Sequence, residues 1–361
     1  MQRFLFVIVM MGVAAGANAS GKSAAVIYSG GPQHTGAYDT EPLVKPGHLK
    51  WKFDTVGDVT SPPLVNSGTV YFGDWKGYFY AVDVATGEEQ WRVEAGGAAA
   101  GPPTLCGDVA YWGCRDGHFF ALDARSGEEK WRITVDGAIC FPPYVDNDVA
   151  YFTSHSKHMY MVDITAAALI DSLPTQNGMC CSPSRVGQTF FVSDWDGNVY
   201  ALNLATATEK WRFKARRKIY HAPSLDGGMA YVGSHDSTAY ALDVDTGRVV
   251  WRFDTDGPIS VEPAVADGTA YLSTLYSHFY ALDALTGERV WDVRKEGKVY
   301  AKPAIARDIV YFGGGDHKLY ALDRHTGRQL WSFDAQDMVC NPTVHDRMVF
   351  FGSGNALYAL E

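Results

Sequence analysis

The sequence predicts an all-β protein: an eight-bladed β-propeller of four-stranded blades, with an N-terminal strand completing the last blade. Three observations predict it. Seven tryptophans, Trp51, Trp91, Trp131, Trp211, Trp251, Trp291 and Trp331, fall on one forty-residue grid, with Asp171 where an eighth would stand; a fixed period of that length marks stacked structural repeats. Strands of the Tyr/Phe-Ala-Leu-Asp type recur eight times, around Tyr80, Phe120, Tyr160, Tyr200, Tyr240, Tyr280, Tyr320 and Tyr358. Lastly, no outer strand follows Tyr358-Ala359-Leu360, whereas Leu49-Lys50-Trp51-Lys52-Phe53 is an orphan strand at the other end. Joining the two closes the ring and hides both sheet edges.

In chain order, residues 1–19 read as a signal peptide, 20–47 as a lead-in segment and 48–361 as the propeller. The leader has Arg3, an apolar run from Phe4 to Val13 and Ala17-Asn18-Ala19 before Ser20, the pattern of an export signal cleaved after Ala19. Its apolar run is too short to span a bilayer. No later stretch approaches the ~18 apolar residues of a membrane helix, and no cysteine follows the cleavage site to take a lipid anchor. A periplasmic or secreted protein that does not span the membrane is expected. Its net charge of −10 argues against nucleic acid and anionic lipid as partners. Six cysteines make disulfides possible in an exported chain but are too few to frame the fold.

Each repeat carries its own turn chemistry. The best copies run from Tyr80-Ala81-Val82-Asp83 through Thr86-Gly87 to Trp91, and from Tyr280-Ala281-Leu282-Asp283 through Thr286-Gly287 to Trp291. The glycine supplies a positive φ, and the Asp and Thr side chains bond turn amides. A Pro-marked strand such as Pro62 to Val65 and a second such as Thr69-Val70-Tyr71-Phe72-Gly73 precede each copy, making four short strands per period, the content of a propeller blade. The tryptophans read as packing between blades, each burying roughly 150–250 Å².

The Ala-x-Asp-x-x-Thr-Gly-x-x-x-Trp pattern, complete at 81–91, 241–251, 281–291 and 321–331 and with Ser126 for Thr at 121–131, resembles the tryptophan-docking motif of the pyrroloquinoline-quinone (PQQ) enzyme repeat. The likeness covers nearly all of the propeller segment. It implies kinship with quinone-dependent dehydrogenases and with non-enzymatic propellers of the BamB type. It is not a WD40 array, since no Trp-Asp pair closes each period.

Loops of a four-stranded blade alternate between two faces, which puts the Thr-Gly turns on one. The opposite face receives Asp74-Trp75-Lys76, Cys114-Arg115-Asp116, His155, Asp194-Trp195-Asp196, His235-Asp236, Tyr276 and Asp316-His317, together with the starts of the innermost strands. Those starts bring Cys140, the pair Cys180-Cys181, His221, Glu262, Lys302 and Cys340-Asn341 to the channel mouth. Cys106 falls on the other face, well over 15 Å from Cys114 at ~3.3 Å per strand residue, too far to pair with it.

Three readings of the cysteines stay open. Cys180 and Cys181 could form a vicinal disulfide, which the resemblance favours because quinone dehydrogenases of this family hold such a pair against the cofactor. Cys140, Cys340 and His221 could join them in binding copper(I) or zinc, which thiolates select. The thiols could instead be structural. Arg217, in the run Arg216-Arg217-Lys218, with His221 and Lys302 could hold an anion, including the polycarboxylate PQQ. Glu262 and Asn341 are the weaker candidates for calcium, two blades apart and without an Asn-x-Asp pair.

Against a full quinone dehydrogenase, every blade is close to forty residues, no Trp occupies an inner-strand start, and no catalytic Asp stands beside a calcium-binding Glu and Asn. A haem-attachment Cys-x-x-Cys-His is absent from the sequence, and no Ser–His–Asp set stands out. The repeat breaks at Thr165–Asp171, which lacks the Thr-Gly turn and the Trp, and at Thr206-Ala207-Thr208, which lacks the glycine. The sequence therefore predicts an exported, monomeric scaffold without an identifiable catalytic centre, binding a protein partner or small anionic ligand on its loop-rich face. The alternative is a small PQQ- or metal-binding redox protein centred on the cysteine-rich mouth.

Overall fold

The computed structural model describes residues 25–45, 47–174, 178, 181–204, 206 and 208–361. The leader and Cys180 lie outside them. Each forty-residue repeat folds into one antiparallel sheet. Blade 1 consists of Leu64–Asn66, Thr69–Gly73, Tyr78–Asp83 and Glu89–Glu94. The pattern repeats to blade 7, from Ala304–Ala306 to Gln329–Asp334. In blade 8, Thr343–His345, Met348–Ser353 and Ala356–Leu360 are completed by Leu49–Asp54. That closing strand pairs antiparallel with the last one, Trp51 opposite Ala359 and Phe53 opposite Leu357, so the predicted ring closure is present. No helix occurs among the described residues, hence none long and apolar enough to cross a membrane.

Burial explains the sequence pattern within a blade. The two middle strands are covered on both sides by neighbouring blades, so Thr69–Gly73 is buried throughout and reads as a continuous apolar run. Only the outer strand alternates: in Glu89–Glu94, Trp91 alone is buried. A bulge precedes it, since Ala81 pairs with Trp91 but Val82 with Glu89.

Each docked tryptophan reaches the next blade. Trp91 Nε1 donates to Ala124 O at 3.0 Å, Trp251 Nε1 to Ala284 O at 2.8 Å and Trp291 Nε1 to Arg324 O at 2.8 Å. The phenols of Tyr71, Tyr231 and Tyr271 donate to the same three carbonyls. The ring of the incoming tryptophan lies on the turn glycine: a Cβ on Gly287 would stand 2.6 Å from Trp251. Glycine is thus required for contact as well as for its φ of +74°. Where the motif fails, Ala167 takes the left-handed position at φ 53°, and the facing Trp131 is only half-buried. At the other end of the array, Leu43 O substitutes for the missing eighth turn, accepting from both Tyr311 Oη and Trp331 Nε1.

The lead-in segment, given no role by the sequence, runs across the channel. Inner strands pair with a neighbour on one side only, which leaves amides facing the axis. The lead-in satisfies a series of them: Leu105 N–H bonds Val26 O, Arg185 N–H bonds Pro32 O, Leu225 N–H bonds Gln33 O, Val265 N–H bonds Thr35 O and Ile305 N–H bonds Gly36 O, at 2.7–3.0 Å. One end of the channel is therefore floored by chain.

Gly287 and Gly268 both have φ of +74°, but a Cβ on Gly268 would meet nothing within 4 Å. Gly268→Ala should cost about 1–2 kcal/mol from the left-handed backbone alone. Gly287→Ala should cost about 1–3 kcal/mol more from crowding Trp251. Paired chemical denaturation curves of the two variants measure the difference.

Candidate functional site

Above this floor lies an axial cavity of about 430 Å³, open on the loop-rich face. The inner-strand starts supply most of the lining, among them Cys140, Tyr220, His221, Glu262, Lys302 and Asn341. Trp75, Arg115, His155 and Trp195 come from the loop tips, and Tyr28, Ser29 and His34 from the lead-in.

At the base sits a buried polar cluster. Lys302 Nζ donates to Glu262 Oε2 at 2.7 Å, to His34 O at 2.6 Å and to Ser29 Oγ. Glu262 Oε1 lies 2.9 Å from His34 Nδ1, and the Lys302 amide donates to Asn341 Oδ1 at 2.5 Å. Lys302 and Glu262 are 4% and 7% exposed, so they persist as ions only because they are paired. Burial alone would raise the pKa of Glu262, but Lys302, and then His34, outweigh it and hold the carboxyl at about 2. Burial pulls Lys302 down against the opposing pull of Glu262. All three ammonium protons are committed, two of them to the lead-in.

The walls are aromatic and largely neutral. Phe141 meets the His221 ring edge-on at 5.5 Å, His155 meets Trp195 at 4.9 Å, and Arg115 stacks over Trp75 at 4.9 Å. Desolvation lowers the pKa of His221, favouring a neutral imidazole at neutral pH.

Of the residues read from the sequence as cofactor ligands, only His221 and Lys302 line this cavity. Arg217 is exposed on the link before blade 5. Cys181 does not line the cavity: it is a free thiol, fully buried, with Sγ 3.4 Å from the Ser193 amide. Its partner in the expected vicinal pair, Cys180, lies outside the described residues. Cys140, Cys340 and His221 do not converge on a common point among the described residues; Cys140 Sγ lies 3.6 Å from His155 Nε2 instead. Burial raises Cys340 and Cys181 to about 12, which makes them inert thiols. Glu262 and Asn341 turn their oxygens to His34 and Lys302. Sequence reasoning missed Ser29 and His34, because the lead-in has no period to align; Ser29-Gly30-Gly31 before His34 was its one visible irregularity.

Comparison with known proteins places this architecture. The family model described as outer membrane protein assembly factor BamB, built on the PQQ repeat, matches residues 11–101, 76–170, 166–261 and 235–361. The chain belongs to the BamB family. Among solved structures, BamB from Moraxella catarrhalis is similar with a TM-score of 0.74 and 18% identity, over 87% of this chain and 99% of that one. A europium-containing methanol dehydrogenase matches with a TM-score of 0.78 and 14% identity, over 93% of this chain and 97% of that one. The quinohemoprotein alcohol dehydrogenase from Comamonas testosteroni gives 0.76 and 14%, over 91% and 79%. At these identities the likeness is one of fold. No curated protein matches the sequence.

Within this BamB-family chain, the residues present do not suit PQQ. A flat tricarboxylate needs several uncommitted cations, whereas the Lys302 protons are taken, Glu262 adds a negative charge at the base, and Arg217 lies elsewhere. Removing one partner from the base should be severe: Lys302→Met strands a buried carboxylate and should cost about 3–5 kcal/mol. The pH dependence follows from the depressed Glu262 pKa. Its contribution is complete above the ordinary value of 4.5 and disappears as pH falls towards about 2. The stability gap between wild type and Glu262→Gln, read from urea midpoints, should therefore be widest above pH 4.5 and narrow steadily on acidification.

Proposed function

We propose that this chain is an exported binding propeller whose axial cavity takes a flat, largely apolar organic ligand bearing at most one acidic group. The observation that carries this is the lining of the cavity: aromatic walls, the neutral imidazole of His221, a self-neutralised base, and one rim cation, Arg115, stacked on Trp75. Apolar concavities with a few placed polar groups are the usual form of small-molecule sites. The committed state of Lys302 and Glu262 favours binding over acid–base chemistry, since neither has a proton position left to offer a substrate.

A second reading keeps the same face and changes the partner. The family description is that of an assembly factor, and Trp75, Tyr276 and Tyr300 are large apolar groups about half exposed around the cavity. Exposed aromatics of this kind serve as anchors in protein interfaces.

The probe that separates the readings is 1-anilinonaphthalene-8-sulfonate, an aromatic monoanion. Ligand binding in the cavity predicts one dye per chain, and an affinity that drops about tenfold or more in Ala100→Trp, because that side chain fills the space. Tyr276→Ala should leave dye binding unchanged. Dye binding that ignores Ala100→Trp contradicts the cavity reading and leaves the docking surface as the better account.

A further inference from the structure

The tip of blade 2 carries a set of donors that no other blade assembles. In blades 1 and 4, the first residue of the corresponding tip is Asp74 or Asp194, and each accepts a tyrosine hydroxyl, from Tyr80 at 2.9 Å and Tyr200 at 2.7 Å. In blade 5 the acceptor is Asp236, two positions later, bonded by Tyr240 at 2.8 Å. Blade 2 has Cys114 at the first of these positions, Asp116 at the second and Phe120 in place of the tyrosine. With no hydroxyl to receive, Asp116 faces its own turn. Cys114 Sγ lies 2.6 Å from Oδ1, and His118 Nδ1 lies 2.8 Å from Oδ2. That nitrogen is out of line for a hydrogen bond and stays buried without one. The three ligand atoms lie within 4.8 Å of one another.

Two further features hold the arrangement and leave room beside it. The amides of Gly117 and Ile139 both bond Cys114 O, at 3.1 and 3.0 Å, which fixes the turn. Beside the carboxylate, the blade link contains Gly96, where every other link bears a side chain, from Val56 to Gln336. A Cβ on Gly96 would lie 3.2 Å from Asp116 Oδ2.

We propose that Cys114, Asp116 and His118 form a binding site for a borderline-soft divalent cation of the zinc class. Thiolate, imidazole and carboxylate together are donors zinc accepts, whereas calcium and magnesium take oxygen. On binding, the sulfur–metal bond replaces the S–H bond, the proton leaves to solvent, and nothing is oxidised or reduced. Three protein donors leave a fourth tetrahedral position for water or a ligand, and the side chains of Asp116 and His118 are about a third exposed, at 32% and 30%. Arg115 lies between the donors and lines the axial cavity, so the ion would fix the tip that presents this rim cation.

The test titrates the full chain, stripped of metal by a chelator, with Co²⁺ and then Zn²⁺. One Co²⁺ per chain is expected, with a near-ultraviolet thiolate-to-cobalt charge-transfer band that an equivalent of Zn²⁺ removes. His118→Ala, a part-exposed position, should weaken binding more than tenfold, since even outer-shell changes at metal sites cost about 10–100-fold. Cys114→Ser should abolish the band and Asp116→Asn should weaken binding, while Cys340→Ser should keep both band and affinity. Failure of the wild-type chain to bind either ion overturns the proposal. So does a His118→Ala or Asp116→Asn chain that binds Co²⁺ as tightly as wild type, or a band that survives Cys114→Ser.

Discussion

The site depends on one constraint: the axis-facing amides of the inner strands need acceptors, and the lead-in segment supplies them. In a ring of four-stranded blades each inner strand pairs on one side only, which leaves an inner edge around the channel. Buried or confined amides without partners are costly. By giving carbonyls in sequence to blades 2, 4, 5, 6 and 7, the segment turns an open channel into a cup. The Lys302–Glu262–His34 cluster then ties the segment to blades 6 and 7 with charge-assisted bonds, in surroundings where an unpaired ion would not persist.

The outer ring uses a different device to the same end. Trp51, Trp91, Trp211, Trp251 and Trp291 each rest on a carbonyl and a glycine of the following blade, so these blades are finished by their neighbours. Blade 8 is completed by Leu49–Asp54 and blade 7 docks on Leu43. Both ends of the array are therefore closed by the same N-terminal stretch that floors the cavity. Closure of the ring and formation of the cup are coupled through about thirty residues outside the repeat.

Much of this was legible in the sequence. The tryptophan grid and the recurring Asp-x-x-Thr-Gly turns specify blades, strand order and closing strand, because period and turn chemistry are local properties. Alignment on the inner-strand prolines also brought His221, Glu262, Lys302 and Asn341 to one opening. Their roles were not legible. Lys302 looked like an anion holder because its partners Ser29 and His34 lie 273 and 268 positions away, and no spacing rule connects them. Cys181 and Cys340 stand at starts that line the cavity, yet neither lines it, and burial raises both thiols to about 12. The Cys114-x-Asp116-x-His118 set was visible as text, but its meaning depended on Phe120 replacing a tyrosine whose bond to the turn carboxylate only the fold reveals.

Hydrogen-exchange mass spectrometry on the full chain tests the cup most directly, since protection reports which amides share a cooperative unit. Peptides covering 25–45 should exchange as slowly as the inner strands holding Leu225, Val265 and Ile305. Lead-in amides that exchange within seconds, beside inner strands that stay protected, would contradict the account.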